Sequence, residues 1–376
     1  MSSLSQVGSS PGPLAVWLPL EIALVHSRTS GATARKAIGL LVAVLTIGGM
    51  AGTVLAGVVD AVSGSLTVTL LVPGVLCLLT SLVVFTKVPE STARSDRKVD
   101  GVGFATLAIA MVLLLWGLRM VGEVGITSPA TYVSLLVAAV VFAFFVWWEL
   151  RVEAPAIDIK LVTSRALGPL YIVGLCYGFV VFGSLAPLTL FLAADPARVG
   201  YGFAAQPPLI AGLSAGLALL ACVGAVGFAF LASRVGMKLL LLAGVTLPGV
   251  GSLFQFFFHD ELWHIWIATL LSGLGYGLLS GALPALLAEL APADATGVAS
   301  GVYNSIRTLA GSIAGAAFAV ALSTYVDSAG VPLISGYMMI WMTSAILFAV
   351  AVVAICLTRT RSSDTNRCVS ESRVTE

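Results

Sequence analysis

Residues 297–326 read GVASGVYNSIRTLAGSIAGAAFAVALSTYV, a thirty-residue stretch broken by one charge, Arg307. A helix rises about 1.5 Å per residue and the hydrocarbon core of a bilayer is about 30 Å thick, so about 20 mostly apolar residues cross it. This stretch has residues to spare. Nine charge-free runs of the same kind lie elsewhere: Ala37–Val59, Leu66–Phe85, Val102–Leu118, Pro129–Trp148, Ala166–Ala194, Leu209–Leu231, Leu239–Phe258, Ile265–Ala288 and Val331–Leu357. They are too long and too rich in glycine for the ~10-residue alternating strands of a membrane barrel. A further run, Pro13–Val25, is shorter, contains Glu21, and reads as a truncated or poorly inserted helix. The expected fold is an all-α membrane protein, a polytopic bundle of about 10–11 transmembrane helices.

Composition agrees. Of 376 residues 59% are hydrophobic and 10% charged, against roughly 25% charged in soluble domains. A soluble enzyme, a disordered tail and a nucleic-acid binder are excluded. The opening residues carry no basic segment ahead of an apolar core, so the first full helix is expected to serve as its own insertion signal. If Pro13–Val25 crosses, the connections alternate sides and the basic residues can be assigned. One side collects 16 of the 19 Lys and Arg residues, among them Arg28, Lys87, Arg97, Arg151, Lys160, Arg234 and the tail from Arg359. The other side holds Arg119 and Arg198. Positive charge marks the cytoplasmic side, which places the C-terminus in the cytoplasm. Cys77, Cys176, Cys222 and Cys356 fall inside runs and Cys368 in the tail, with no spacing that suggests a metal site or a disulfide.

An ionisable residue inside the bilayer is costly and a functional candidate by default. Arg307 qualifies, with Asn304 at i−3 on its face. Its role stays open between contact with an anionic substrate group, an ion pair with Glu289 or Asp294, and snorkelling. Glu21 is a candidate proton carrier, because burial pushes a carboxyl towards its neutral form. Tyr177, Gln206, Gln255, Tyr276 and Trp341 are further residues able to line a cavity. His259, Asp260, Glu261 and His264 superficially resemble a metal cluster, but the His spacing is poor for zinc and a solvated loop is the better reading. No nucleophile lies near a base and no phosphate-binding glycine loop is present, so neither an enzyme nor an ATP-driven pump is expected, and no cofactor or metal. Small residues four apart recur at Gly48/Gly52, Gly212/Gly216, Gly273/Gly277/Gly281, Gly297/Gly301 and Gly311/Gly315. They serve either close helix packing or the sliding surfaces of a moving bundle.

Several of these patterns together resemble the major facilitator superfamily, and within it the fourteen-helix drug:proton antiporters. Gly48, Gly52 and Gly57 sit where that family's antiporter motif G-x-x-x-G-P-x-x-G-G has glycines, with Thr53 in place of its proline and Ala56 in place of a glycine. Asp100 and Gly103 open, and Glu149, Arg151, Pro155, Asp158 and Leu161 close, a pair of helices similar to the family's extra linker pair. Gly200–Gly212 resembles the loop before the next helix. Ser300, Gly301, Asn304, Arg307, Leu309, Gly311 and Gly315 resemble its penultimate helix most closely.

The resemblance implies a domain plan. Residues 13–85 would be the remnant of an N-terminal half, covering helices four to six of the family plan, with the first three absent. Residues 86–165 would be the two linker helices and cytoplasmic loops, 166–357 a complete six-helix C-terminal half, and 358–376 a cytoplasmic tail. It also implies a multi-pass plasma-membrane transporter that exports small amphipathic molecules or drugs by alternating access. Its partners would be the lipid bilayer, a small-molecule substrate and protons as coupling ion, with no nucleic acid. The alternative from a different class is a truncated non-transporting relic or a subunit completed by another chain.

Overall fold

The computed structural model describes residues 63–87, 100–125, 128–153, 155, 157, 159–232, 234–292, 296–327 and 330–357, together with single positions between 33 and 59. Within these residues the chain is helical. Apart from two four-residue helices, Ile159–Val162 and Pro196–Val199, the helices among the described residues are α1 (Leu66–Lys87), α2 (Gly101–Val124), α3 (Pro129–Glu149), α4 (Gly168–Gly183), α5 (Leu185–Ala193), α6 (Pro207–Leu231), α7 (Met237–Phe257), α8 (Leu262–Leu290), α9 (Thr296–Thr324) and α10 (Ile334–Leu357). Among the described residues, 8 spans are long and apolar enough to cross a membrane, α4 and α5 counting as one. Each follows an apolar run of the sequence to within a few residues at either end.

The expected run Ala166–Ala194 is interrupted at Ser184, the one place among the described residues where the structure divides what the sequence reads as continuous. Pro187 has no N–H to offer the Gly183 carbonyl, and its ring crowds that turn. The Ser184 hydroxyl donates to the Val180 carbonyl at 2.6 Å, and the α5 helix restarts with Leu188 N donating to the Ser184 carbonyl. The Ser184 backbone stays in the right-handed helical region, and the two helices form one span.

In lipid the hydrophobic effect does not draw helices together, so close backbone approach through small residues does much of that work. Two seams show this. Along α6 and α8, a side chain at Gly273 would strike the Leu217 carbonyl, one at Gly277 the Ala221 backbone, and one at Gly281 the Phe228 ring. Along α4 and α9, Gly174 faces Tyr303, Gly178 the backbone of Arg307, and Gly311 the side chain of Phe182. The α8 helix also packs on α7, where Gly275 receives Pro248, and α7 packs on α10. Gly48, Gly52, Gly212, Gly301 and Gly315 meet nothing within 4 Å. The small-residue pairs therefore divide between packed seams and open faces.

The α2 and α3 helices form a hairpin whose α2 arm touches α9. Its base is a polar clamp. Asp100 caps α2 by accepting from Gly103 N at 2.8 Å, and Trp148 Nε1 donates to the same carboxylate at 3.2 Å. Glu149, 3% exposed, accepts from Ile157 N at 3.2 Å. Gly103 is bare because both carboxylates occupy the space a side chain would need.

Candidate functional site

Arg307 stands eleven residues after the first residue of α9, about 16 Å along a 29-residue helix and so near its middle. Its guanidinium carbon lies 5.6 Å from the Tyr177 ring centre, 5.4 Å from that of Phe182 and 5.9 Å from that of Tyr303. Tyr303 comes from the preceding turn of α9; Tyr177 and Phe182 come from α4 across the glycine seam. Tyr276, at mid-length in α8, completes the layer. Its ring lies 5.8 Å from Tyr177, and its carbonyl accepts from the Tyr177 hydroxyl at 3.3 Å. Phe348 of α10 lies beyond it at 6.4 Å. Asn304, 7% exposed, lies on the neighbouring side of the same turn, its carbonyl accepting from the Thr308 hydroxyl at 2.9 Å.

The magnitudes explain how the cation is tolerated. Insertion scales charge about 2.5–3.5 kcal/mol for an Arg at a helix centre, while a cation–π contact returns about 0.5–1 kcal/mol when exposed and about 2 when desolvated. Three rings are thus of the right size to hold the guanidinium without a carboxylate. No ion pair joins Arg307 to Glu289, which lies near the far end of α8, and Asp294 is outside the described residues. The cage does not satisfy every polar atom. Arg307 Nε, the Tyr303 hydroxyl and Ser300 Oγ are buried without a hydrogen-bond partner among the described residues. They fall on successive turns of α9, so one helix carries a ladder of unspent polar groups.

The other residues singled out in the sequence scatter. Glu21 and Gly57 lie outside the described residues. Gln206 stands at the N-terminal boundary of α6 without a side-chain capping bond, and the Gln255 backbone carbonyl bonds the His259 ring at 3.1 Å. Trp341 joins a second aromatic group of Phe191, Tyr201, Tyr337 and His259. Glu261 and His264 form a reciprocal cap at the start of α8. Two members of the cage, Tyr303 and Phe182, were not among the sequence candidates. The i−4 spacing from Arg307 signals Tyr303; Phe182 lies on another helix and gives no local signal.

The cage residues Tyr177, Phe182, Tyr276, Tyr303 and Arg307 fall within residues 14–315, the stretch that matches the family model of the Major Facilitator Superfamily. The chain belongs to the Major Facilitator Superfamily. It is therefore an all-α membrane protein of a transporter family and not an enzyme. It is 29% identical over 299 residues to the multidrug resistance protein Stp of Mycobacterium tuberculosis, covering 78% of this chain and 53% of that one. It is 26% identical over 300 residues to the MFS-type transporter Rv1877 of the same species, covering 77% and 42%. To the quinolone resistance protein NorB of Staphylococcus aureus it is 30% identical over 249 residues, covering 62% and 49%. The chain spans about half the length of the curated relatives it matches.

Proposed function

We propose that this superfamily member is a secondary transporter of the plasma membrane that exports small amphipathic molecules by alternating access, with protons as the coupling ion. The observation that carries the reading is the guanidinium of Arg307 held at mid-membrane by Tyr177, Phe182 and Tyr303 with polar atoms to spare. A charge maintained at that depth with no carboxylate paired to it among the described residues marks a substrate or ion pathway more readily than a structural bridge. The names of the relatives, a multidrug and a quinolone resistance protein, support the substrate class. Arg307 and Asn304 are assigned to substrate or coupling, Glu21 to the proton, and Gly48, Gly52, Gly57 and Gly311 to the moving helix contacts. Residues 166–357 act as one half of the rocking pair and 86–165 as its linker. The 16 to 2 partition of basic residues supports a cytoplasmic C-terminus.

The test is transport by the chain expressed in inverted membrane vesicles, with ethidium and a fluorescent quinolone as probes and an imposed proton gradient. Gradient-dependent uptake that Arg307→Gln removes supports the reading. Uptake that ignores the gradient removes proton coupling from it, and absence of uptake for both probes overturns it.

A further inference from the structure

A second cavity lies away from the Arg307 cage, in the opposite half of α8. It is a crevice of about 180 Å³, open on the side where Leu185, Thr189 and Ser214 are exposed, and is walled by Leu185, Leu188 and Thr189 of α5, by Ile210 and Ser214 of α6, and by Thr269 of α8, with three further leucines behind them. Thr269 precedes Tyr276 by two turns, about 10 Å along the helix, and no residue belongs to both sites. All wall residues are neutral. The three hydroxyl groups are not equivalent. Thr189 donates to the Leu185 carbonyl and Ser214 to the Ile210 carbonyl, each at 3.0 Å, the ordinary back-bond of such residues in a helix. Thr269 makes no such bond to Ile265, four residues back. It is 4% exposed, and its hydroxyl is buried without a hydrogen-bond partner among the described residues.

A buried hydroxyl left unbonded is costly, and the cost is recovered when something in the adjoining space bonds it. An apolar cavity of about 150 Å³ holds one benzene ring. We infer that the α5–α6–α8 cavity is a binding site for neutral molecules of about single-ring size that carry one hydroxyl or carbonyl, with Thr269 supplying the hydrogen bond and the leucines the apolar contact. A charged ligand is disfavoured, because no wall residue can compensate its desolvation. The biological meaning of this site rests on the transport reading above, but binding is an equilibrium property measurable without transport. Failure of either one leaves the other standing.

The test uses the full chain in lipid nanodiscs, with 4-fluorophenol and fluorobenzene as probes followed by ¹⁹F NMR and empty nanodiscs as reference. The two probes differ by the hydroxyl. The expected result is saturable binding of 4-fluorophenol, roughly threefold to tenfold tighter than fluorobenzene. Thr269→Val is expected to erase that preference and Thr269→Ser to keep it. If Thr269→Val does not fold, Leu188→Trp, which fills the cavity from α5, is expected to weaken both probes together. Equal binding of the two probes, a preference that survives Thr269→Val, binding indifferent to Leu188→Trp, or no signal above empty nanodiscs overturns the inference.

Discussion

Gly178 of α4 lies directly against the backbone of Arg307 on α9: a side chain at Gly178 would come within 2.7 Å of the Arg307 Cα. The obstacle is main chain and cannot rotate away. The position of the guanidinium is thus set by a helix crossing as much as by its own side-chain torsions, and the three rings of the cage close round it only while the two helices stay at this separation.

Gly178→Ala is therefore expected to push α4 and α9 apart and to destabilise the protein by about 1–3 kcal/mol, the usual cost of overpacking. Thermal unfolding of the purified chain in detergent checks it. Gly301→Ala and Gly315→Ala are the controls, since nothing lies within 4 Å of a side chain at either position. Both are helix-interior glycines, so alanine is expected to leave stability unchanged or raise it by up to about 1 kcal/mol. Equal losses at all three positions would mean that the α4–α9 seam is not what fixes the crossing.

The clamp at the base of the α2–α3 hairpin gives a second prediction. Asp100→Ala removes the acceptor for both Gly103 N and Trp148 Nε1. Loss of an N-cap costs about 0.5–2 kcal/mol, so the expected loss is at the upper end of that range. A chain with Trp148 as its sole tryptophan should also shift its emission on the substitution. An unchanged spectrum together with unchanged stability would count against the clamp.

Much of this architecture is legible in the sequence because bilayer thickness leaves few options for a run of apolar residues. The runs from Leu66 to Leu357 map onto helices with small shifts at their ends, and Arg307 is visible because a charge inside such a run is rare. The interruption at Ser184 is less visible. Pro187 predicts it, yet Pro73, Pro248 and Pro284 lie inside unbroken helices, so a proline in an apolar run does not by itself decide the outcome. The cage is legible only in part. Tyr303 follows from helical periodicity, whereas Tyr177 and Phe182 meet Arg307 through an α4–α9 crossing that no local pattern encodes. The same holds for Thr269: its type is unremarkable in a helix, and its unspent hydroxyl exists only in the packed bundle. Of the small-residue pairs, the sequence shows their spacing but not which face finds a partner.

The hairpin also leaves a crevice. An apolar cavity of about 220 Å³ separates Leu107, Met111 and Phe145 of the hairpin from Val302, Ile306 and Leu309 of α9. Filling it from α2 with Leu107→Phe is expected to stabilise the hairpin against α9 by about 1 kcal/mol, within the range usual for cavity-filling changes. Leu107→Ala should enlarge the void and cost about 2–5 kcal/mol if the site is as enclosed as a protein core, and less where lipid enters it. Unfolding measured in detergent and again in nanodiscs separates these cases: a smaller loss in nanodiscs shows lipid access to the crevice.

Substitutions at Arg307 bear most directly on function, because its charge and its shape act separately. Arg307→Lys keeps the charge but replaces a planar group that stacks on rings with a compact ammonium that does not. Arg307→Gln removes the charge and keeps a polar end. Phe182→Leu leaves the cation and removes one ring, worth about 0.5–2 kcal/mol. If the charge itself meets the substrate, transport should fall sharply in Arg307→Gln, by tenfold or more, and partly in Arg307→Lys. Phe182→Leu should then reduce stability more than transport. If the residue merely fastens α9 to α4, Arg307→Gln, which loses its contacts with the Tyr177 and Phe182 rings, should melt lower than the parent and lose transport only in proportion to that loss of stability. Vesicle uptake and melting temperature on the same three variants distinguish the two, since a fastening role predicts that transport tracks stability and a substrate role predicts that it does not.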